Sequence, residues 1–245
     1  MLSKNELKYI QSLCHKKFRQ EEGLFIAEGV KLLDELLSSN YTVKKVYALA
    51  SWIREHSIDQ TEVIEISEQE LEKISSLQTP NQVIAIAQQK RMLTPPVLQH
   101  QWSIVLDSIR DPGNFGTIIR IADWFGIKQI ICSNDTVDLY NPKVIQSTMG
   151  SFTRVNIWYQ SLNEFLQNAK VPVLGAMLSG KSIYQLPEMK EGVLVIGNES
   201  KGIHDSLKKN ITQPVTIPRI GGAESLNASV AAGIIISQLI GTESL

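Results

Sequence analysis

The chain has 245 residues, 43% hydrophobic and 20% charged, the balance of a globular protein long enough for a sizeable core and for one large domain or a small domain beside a larger one. Its formal net charge is −1, from 24 basic and 25 acidic residues, so the totals give no sign of a nucleic-acid partner and any cationic surface must be local. No apolar run reaches the roughly 18 residues of a membrane span, the N-terminal MLSKNELKYIQSL carries charges where a secretion signal needs its apolar core, and Cys14 and Cys132 form no CxxC pair; a cytoplasmic protein with reduced thiols is expected.

Residues 3–20 place Leu7, Ile10, Leu13 and Cys14 at helical spacing and predict one helix. Lys4, Lys8, Lys16, Lys17 and Arg19 stand there against Glu6 alone, five charges less one, a local net of +4. Such a segment can neutralise phosphates, although a solvated helix face has the same composition. LFIAEG then reads as a short strand, VKLLDELLSS as an amphipathic helix, and VKKVYAL and EVIEIS as strands. SEQELEKISSL is a helix whose Ser67 and Glu70 have capping-box spacing. NQVIAIAQQ closes an α/β unit of about 90 residues as a strand.

KRMLTPPVLQHQW, residues 90–102, interrupts the pattern. Adjacent Pro95 and Pro96 stop a helix and favour an extended connection. The expected domains are therefore 1–92 and 103–245, with 93–102 as linker. Beyond it, apolar runs at 103–109, 129–133, 155–159, 171–177, 192–197 and 213–218 read as strands, with helical patterns between most of them. Several are apolar at nearly every residue, as in a parallel sheet covered on both faces.

In open parallel α/β sheets, ligands bind beyond the carboxyl ends of the strands. Three such junctions are rich in polar residues and glycine: RDPGNFGTIIRIADWFG after 103–109, NESKG after 192–197, and RIGGAESLNASVAAGI after 213–218. Singly, each could be ordinary turn or cap chemistry. Familiar alternatives are missing: there is no GxGxxG after a strand, no GxxxxGK[ST] and no GxSxG, and the four histidines lack metal-ligand spacing.

LDSIRDPGNFGTIIRIADWFGI, LVIGNESKGI and IPRIGGAESLNASVAAGI, in that order, resemble the three motifs of the SpoU (TrmH-type) RNA 2'-O-ribose methyltransferases of the SPOUT superfamily. The N-terminal unit resembles the family's L30e-like substrate-binding domain. The resemblance implies an α/β fold, with a C-terminal parallel-sheet trefoil knot preceded by the smaller L30e-like α/β domain. It implies a homodimer, S-adenosylmethionine (SAM) held in the knot, an active site shared across the interface, and no metal. By motif, Asn114, Arg120, Glu199, Ser225 and Asn227 are the implied catalytic set. Backbone groups around Gly197, Ile217 and Leu226 are implied to hold SAM. Lys16, Lys17 and Arg19 are the candidates for RNA phosphate contacts. RNA is the implied partner, ribosomal RNA before transfer RNA. Two other readings stand beside this one: a non-catalytic L30e-like RNA-binding protein using the knot as a dimer module, and a methyltransferase acting on a base nitrogen.

Overall fold

The computed structural model describes residues 2–58 and 61–240. It divides into two compact units: residues up to Arg91 together with Asp138–Thr153, and Met92–Val137 together with the chain from Arg154 onward.

The first unit begins with α1 (Lys4–Ser12), capped by the Ser3 hydroxyl, which accepts from the Glu6 amide at 3.1 Å. The single helix expected over 3–20 is broken: His15 is extended at φ −95°, ψ 132°, and α2 (Lys16–Glu22) starts anew. The break leaves carbonyls without helical partners. Arg19 supplies them, its Nη1 donating to Leu13 O at 3.1 Å and Cys14 O at 2.8 Å. Its Nη2 pairs with Asp138 Oδ2 at 2.6 Å, and the residue is 1% exposed. This corrects the expectation for Arg19. It is a buried tie within its unit and cannot reach a phosphate, whereas Lys16 and Lys17 are exposed.

There follow β1 (Leu24–Glu28), α3 (Val30–Leu37), β2 (Val43–Ala48), α4 (Ala50–Glu55), β3 (Glu62–Glu65), α5 (Glu68–Ile74) and β4 (Val83–Gln88). The strands order as β1-β4-β2-β3, antiparallel except for β2 with β3. The capping box at α5 forms as its spacing predicts. Helix α4, too short for periodicity to reveal, buries Trp52 and stacks it on His56 at 4.4 Å. Ile10 and Leu13 pack with Ile26, Tyr47, Leu71, Ile74, Ile84 and Ile86 in the core.

The chain returns to this unit at 138–153, which contains α7 (Pro142–Thr148); the sequence reading places that stretch in the C-terminal domain. Aromatic packing explains the difference. Phe25 meets Tyr140 at 4.6 Å and Phe152 at 5.8 Å, and Tyr41 meets Phe152 at 5.3 Å. Tyr140 Oη also accepts from the Lys90 amide at 2.8 Å.

The second unit is a six-stranded sheet, every pairing parallel, in the order β10-β8-β9-β5-β6-β7. Its strands are β5 (Trp102–Leu106), β6 (Gln129–Cys132), β7 (Asn156–Tyr159), β8 (Val173–Ser182), β9 (Gly192–Ile196) and β10 (Gln213–Thr216). All six expected runs are strands. Every residue of β5, β6 and β9 is buried, as a sheet covered on both faces requires. Pro214 is tolerated because β10 is an edge strand. On one face, Val105, Ile131 and Val195 pack with Leu162 and Leu166 of α8 (Leu162–Gln167) and Leu207 of α9 (Asp205–Lys208). Helices α6 (Pro112–Trp124) and α10 (Ala228–Ile240) pack against each other. No helix among the described residues is long and apolar enough to cross a membrane.

Candidate active site

The three polar junctions meet beyond the carboxyl ends of β5, β9 and β10. Helix α6 starts two residues into the first of them. Asp111 is its N-cap, accepting from the Asn114 amide at 2.7 Å, and Pro112 occupies the first turn. That cap fixes Asn114 at the mouth of the helix, where its side chain joins the other two junctions. Asn114 Nδ2 donates to Glu199 Oε1 at 2.7 Å, and Asn114 Oδ1 accepts from Asn227 Nδ2 at 2.8 Å. Both ends of the Asn114 amide are therefore committed, and its orientation is fixed by the network.

Asn227 has a second task. Its Oδ1 accepts from the amides of Ser229 at 2.9 Å and Val230 at 3.3 Å, which caps α10. The Ser229 hydroxyl donates to Asn227 Oδ1 at 2.7 Å and lies 3.4 Å from Asn114 Oδ1. Glu199 is steadied by its neighbour: Asn198 Nδ2 donates to Ser108 O at 2.9 Å and to Glu199 Oε2 at 3.3 Å. Asn198 Oδ1 accepts the amides of Ser200 and Lys201, and its backbone pairs with Gly202. The result is a closed loop that presents one carboxylate to one amide.

Asn114, Glu199 and Asn227 are thus brought together. Arg120 and Ser225 are not. Arg120 lies six residues beyond Asn114, about 120° away around a 3.6-residue helix, is exposed, and its side chain makes no hydrogen bond or ion pair among the described residues. Ser225 is exposed in the loop before α10. Sequence reasoning missed Asp111, Asn198 and Ser229. Their signals are plain afterwards: a cap residue before Pro112, the residue preceding Glu199, and a hydroxyl two positions after Asn227.

Gly197 follows β9, Ile217 follows β10, and Leu226, 46% exposed, precedes Asn227. A Cβ on Gly197 would stand 2.5 Å from the Gly202 carbonyl oxygen and closer still to the Gly202 carbonyl carbon and the Ile203 amide. The backbone of this loop is therefore crowded against itself, while Gly221 and Gly222 face open space. Gly197→Ala is expected to destabilise the protein by about 1–3 kcal/mol through overpacking. Gly221→Ala should stay within about 0.5 kcal/mol of the parent. Denaturant midpoints of the two variants check this pair; equal midpoints would refute it.

A family model described as the SpoU rRNA Methylase family matches residues 101–237, and one described as an MRM3-like substrate binding domain matches residues 4–85. The chain is similar to the 23S rRNA (guanosine(2553)-2'-O)-methyltransferase RlmP of Bacillus subtilis, 28% identical over 236 residues and covering 94% of each chain. Among solved structures, a TrmH-family protein of Porphyromonas gingivalis superposes with TM-score 0.89 at 34% identity, covering 99% of this chain and 100% of that one. An AdoMet-bound rRNA methyltransferase from Sinorhizobium meliloti superposes with TM-score 0.89 at 29% identity, covering 100% of this chain and 97% of that one.

Proposed function

The chain belongs to the SpoU rRNA methylase family, and from that premise we propose that it transfers the methyl group of SAM to a ribose 2'-hydroxyl of ribosomal RNA. The observation that carries the reading is the Asn114–Glu199–Asn227 cluster, assembled from three loops at the carboxyl end of one parallel sheet. The relative named as a 23S rRNA 2'-O-methyltransferase is matched over almost its whole length, which supports ribosomal RNA as the substrate.

The residues present fit SAM. The Gly197 loop has no room for a side chain and so offers bare backbone. Leu226 and the fully exposed Ile220 offer apolar surface in the loop between β10 and α10. Backbone groups around Gly197, Ile217 and Leu226 would hold the adenosine part. When bound, SAM supplies a methyl group already activated on sulfur.

The chain's own residues supply position and charge. The three-loop cluster holds its amides and carboxylate in place before substrate arrives, so little reorganisation is left for the reaction. The guanidinium of Arg120 is a poor base. It clamps the phosphate beside the target ribose and favours negative charge on the 2'-oxygen. The hydroxyl proton passes to phosphate or water.

Arg120 completes the site in a homodimer. It points from α6 away from the Asn114 cluster, and α6 and α10 carry exposed apolar residues, Trp124 at 85% and Val230 at 50%. Ser225 joins the site in the same assembly. The stretch between Gly197 and Leu226 is threaded as a trefoil knot; the crowding at Gly197, and at Gly180 against the Pro214 backbone, accords with that path. The protein works in the cytoplasm without a metal.

The N-terminal unit selects RNA through Lys16 and Lys17, both exposed, Lys17 only loosely paired with Glu21 at 3.9 Å. K16E/K17E should raise KM for RNA roughly tenfold and leave SAM affinity unchanged, measured by calorimetry. Loss of SAM binding would contradict the assignment. The function is tested by transfer of labelled methyl from SAM to RNA from a strain lacking the gene. Label in the ribosomal size fractions is expected; label in the transfer-RNA fraction would overturn the substrate, and none in either would overturn the activity.

A further inference from the structure

We propose that Arg110, held beside the active-site cluster by Asp135, binds an RNA phosphate flanking the methylated nucleotide. The inference rests on the reading of this chain as an RNA ribose methyltransferase.

The loop after β5 is fixed on both sides of Arg110. Ser108 has φ +60°, a backbone state that non-glycine residues seldom adopt and that marks functional loops. It is held there by its amide donating to Ser133 Oγ at 2.9 Å and by its carbonyl accepting from Asn198 Nδ2 at 2.9 Å. Ile109 is fully buried, and its carbonyl accepts from the Val137 amide at 2.9 Å. Asp111 is the α6 cap. Arg110 therefore leaves the protein from a short rigid bridge, four residues before Asn114.

Its guanidinium is directed as well. Nη2 donates to Asp135 Oδ2 at 3.1 Å. The other oxygen, Asp135 Oδ1, accepts from Ser133 Oγ at 2.7 Å and Ser108 Oγ at 3.1 Å. Partial burial opposes ionisation of this carboxyl, but the bonds from Ser133, Arg110 and Ser108 outweigh it and keep its pKa below the usual value. A continuous path of polar contacts runs from Arg110 through Asp135, Ser108, Asn198 and Glu199 to Asn114.

Stability does not account for this arrangement. The side chains of Arg110 and Asp135 are 71% and 48% exposed, and ion pairs this open contribute little. Among the described residues only one Arg110 nitrogen is engaged, so most of its donors are left as a planar fork suited to a phosphate. RNA carries a phosphate on each side of the target ribose. With Arg120 on one of them, Arg110 at the carboxyl ends of β5 and β6 takes a second.

The test compares R110Q, R110K and D135N with the parent chain, using ribosomal RNA from a strain lacking the gene. R110Q should raise Kd and KM for RNA about tenfold and flatten the salt dependence of log K by about 0.7–0.9. Its kcat, SAM affinity and Tm should stay at parental values. R110K should recover part of the RNA affinity. D135N, which leaves the cation but frees it, should raise KM by a smaller factor with the parental salt slope. Parental RNA affinity and salt slope in R110Q overturn the proposal, as does an equal loss of Tm in R110Q and D135N, which would make the pair structural. A parent chain that transfers no methyl overturns the functional reading itself, whereas an active parent matched by R110Q overturns only the role of Arg110.

Discussion

Replacing Arg120 with alanine is expected to lower kcat for methyl transfer by about 10²–10³, the usual loss when one preorganised charge donor to a developing oxyanion is removed. The physical ground is its isolation. The polar side chains of the central cluster already have their partners: Asn114 is committed at both ends of its amide, Glu199 accepts from Asn114 and Asn198, and Asn227 caps α10. The Arg120 side chain makes no hydrogen bond or ion pair among the described residues, so its charge is uncommitted until substrate arrives. Because the alanine variant removes no internal contact, Tm and SAM affinity should not move. Arg120→Lys keeps the charge but loses the planar fork, and should remain well below the parent. Near-normal turnover in the lysine variant would rule out a two-point clamp.

The largest effect on stability is expected at Arg19. Arg19→Ala leaves Asp138 without its cation and the Leu13 and Cys14 carbonyls without their donor. Breaking a buried pair in this way costs about 3–5 kcal/mol. The loss should appear as a Tm lowered by on the order of 10 °C. It should also weaken the hold on 138–153, seen as faster amide exchange through α7. RNA affinity measured well below the transition should be parental. This separates Arg19 from Lys16 and Lys17, whose replacement should act on RNA and leave Tm alone. A stable R19A that binds RNA poorly would restore Arg19 to the RNA surface.

The contrast between these arginines shows what could be read before folding. Arg19 and Lys17 look alike in sequence; what buries Arg19 is Asp138, 119 residues away. No local pattern carries that information. The helix break before α2 was hidden for the same reason, because Leu13 and Cys14 continue the apolar spacing through it. The stretch 138–153 joins the first unit through Tyr140 and Phe152, whose partners Phe25 and Tyr41 lie more than a hundred residues earlier. By contrast, the six strands of the parallel sheet were legible as apolar runs, most plainly β5, β6 and β9, where burial on both faces makes the run continuous. The site was legible as three junctions and, through their resemblance to the SpoU motifs, as named residues. That Asn114 binds both Glu199 and Asn227 follows from topology: β5 and β9 are neighbours in the sheet, and α10 returns from β10 to pack on α6. Ser229 and Asn198 support that contact from within the motif stretches, where the resemblance assigned them no role.

The central claim is that the methyl group goes to a ribose oxygen. A free 2'-hydroxyl is what cleaves RNA in alkali, and a methylated one cannot. The decisive measurement is therefore alkaline hydrolysis of ribosomal RNA labelled by this protein from SAM, followed by separation of the products by size and mass. Label in an alkali-resistant dinucleotide carrying a 2'-O-methylribose is the predicted result. Label in mononucleotides, with the methyl on a base, would contradict the account.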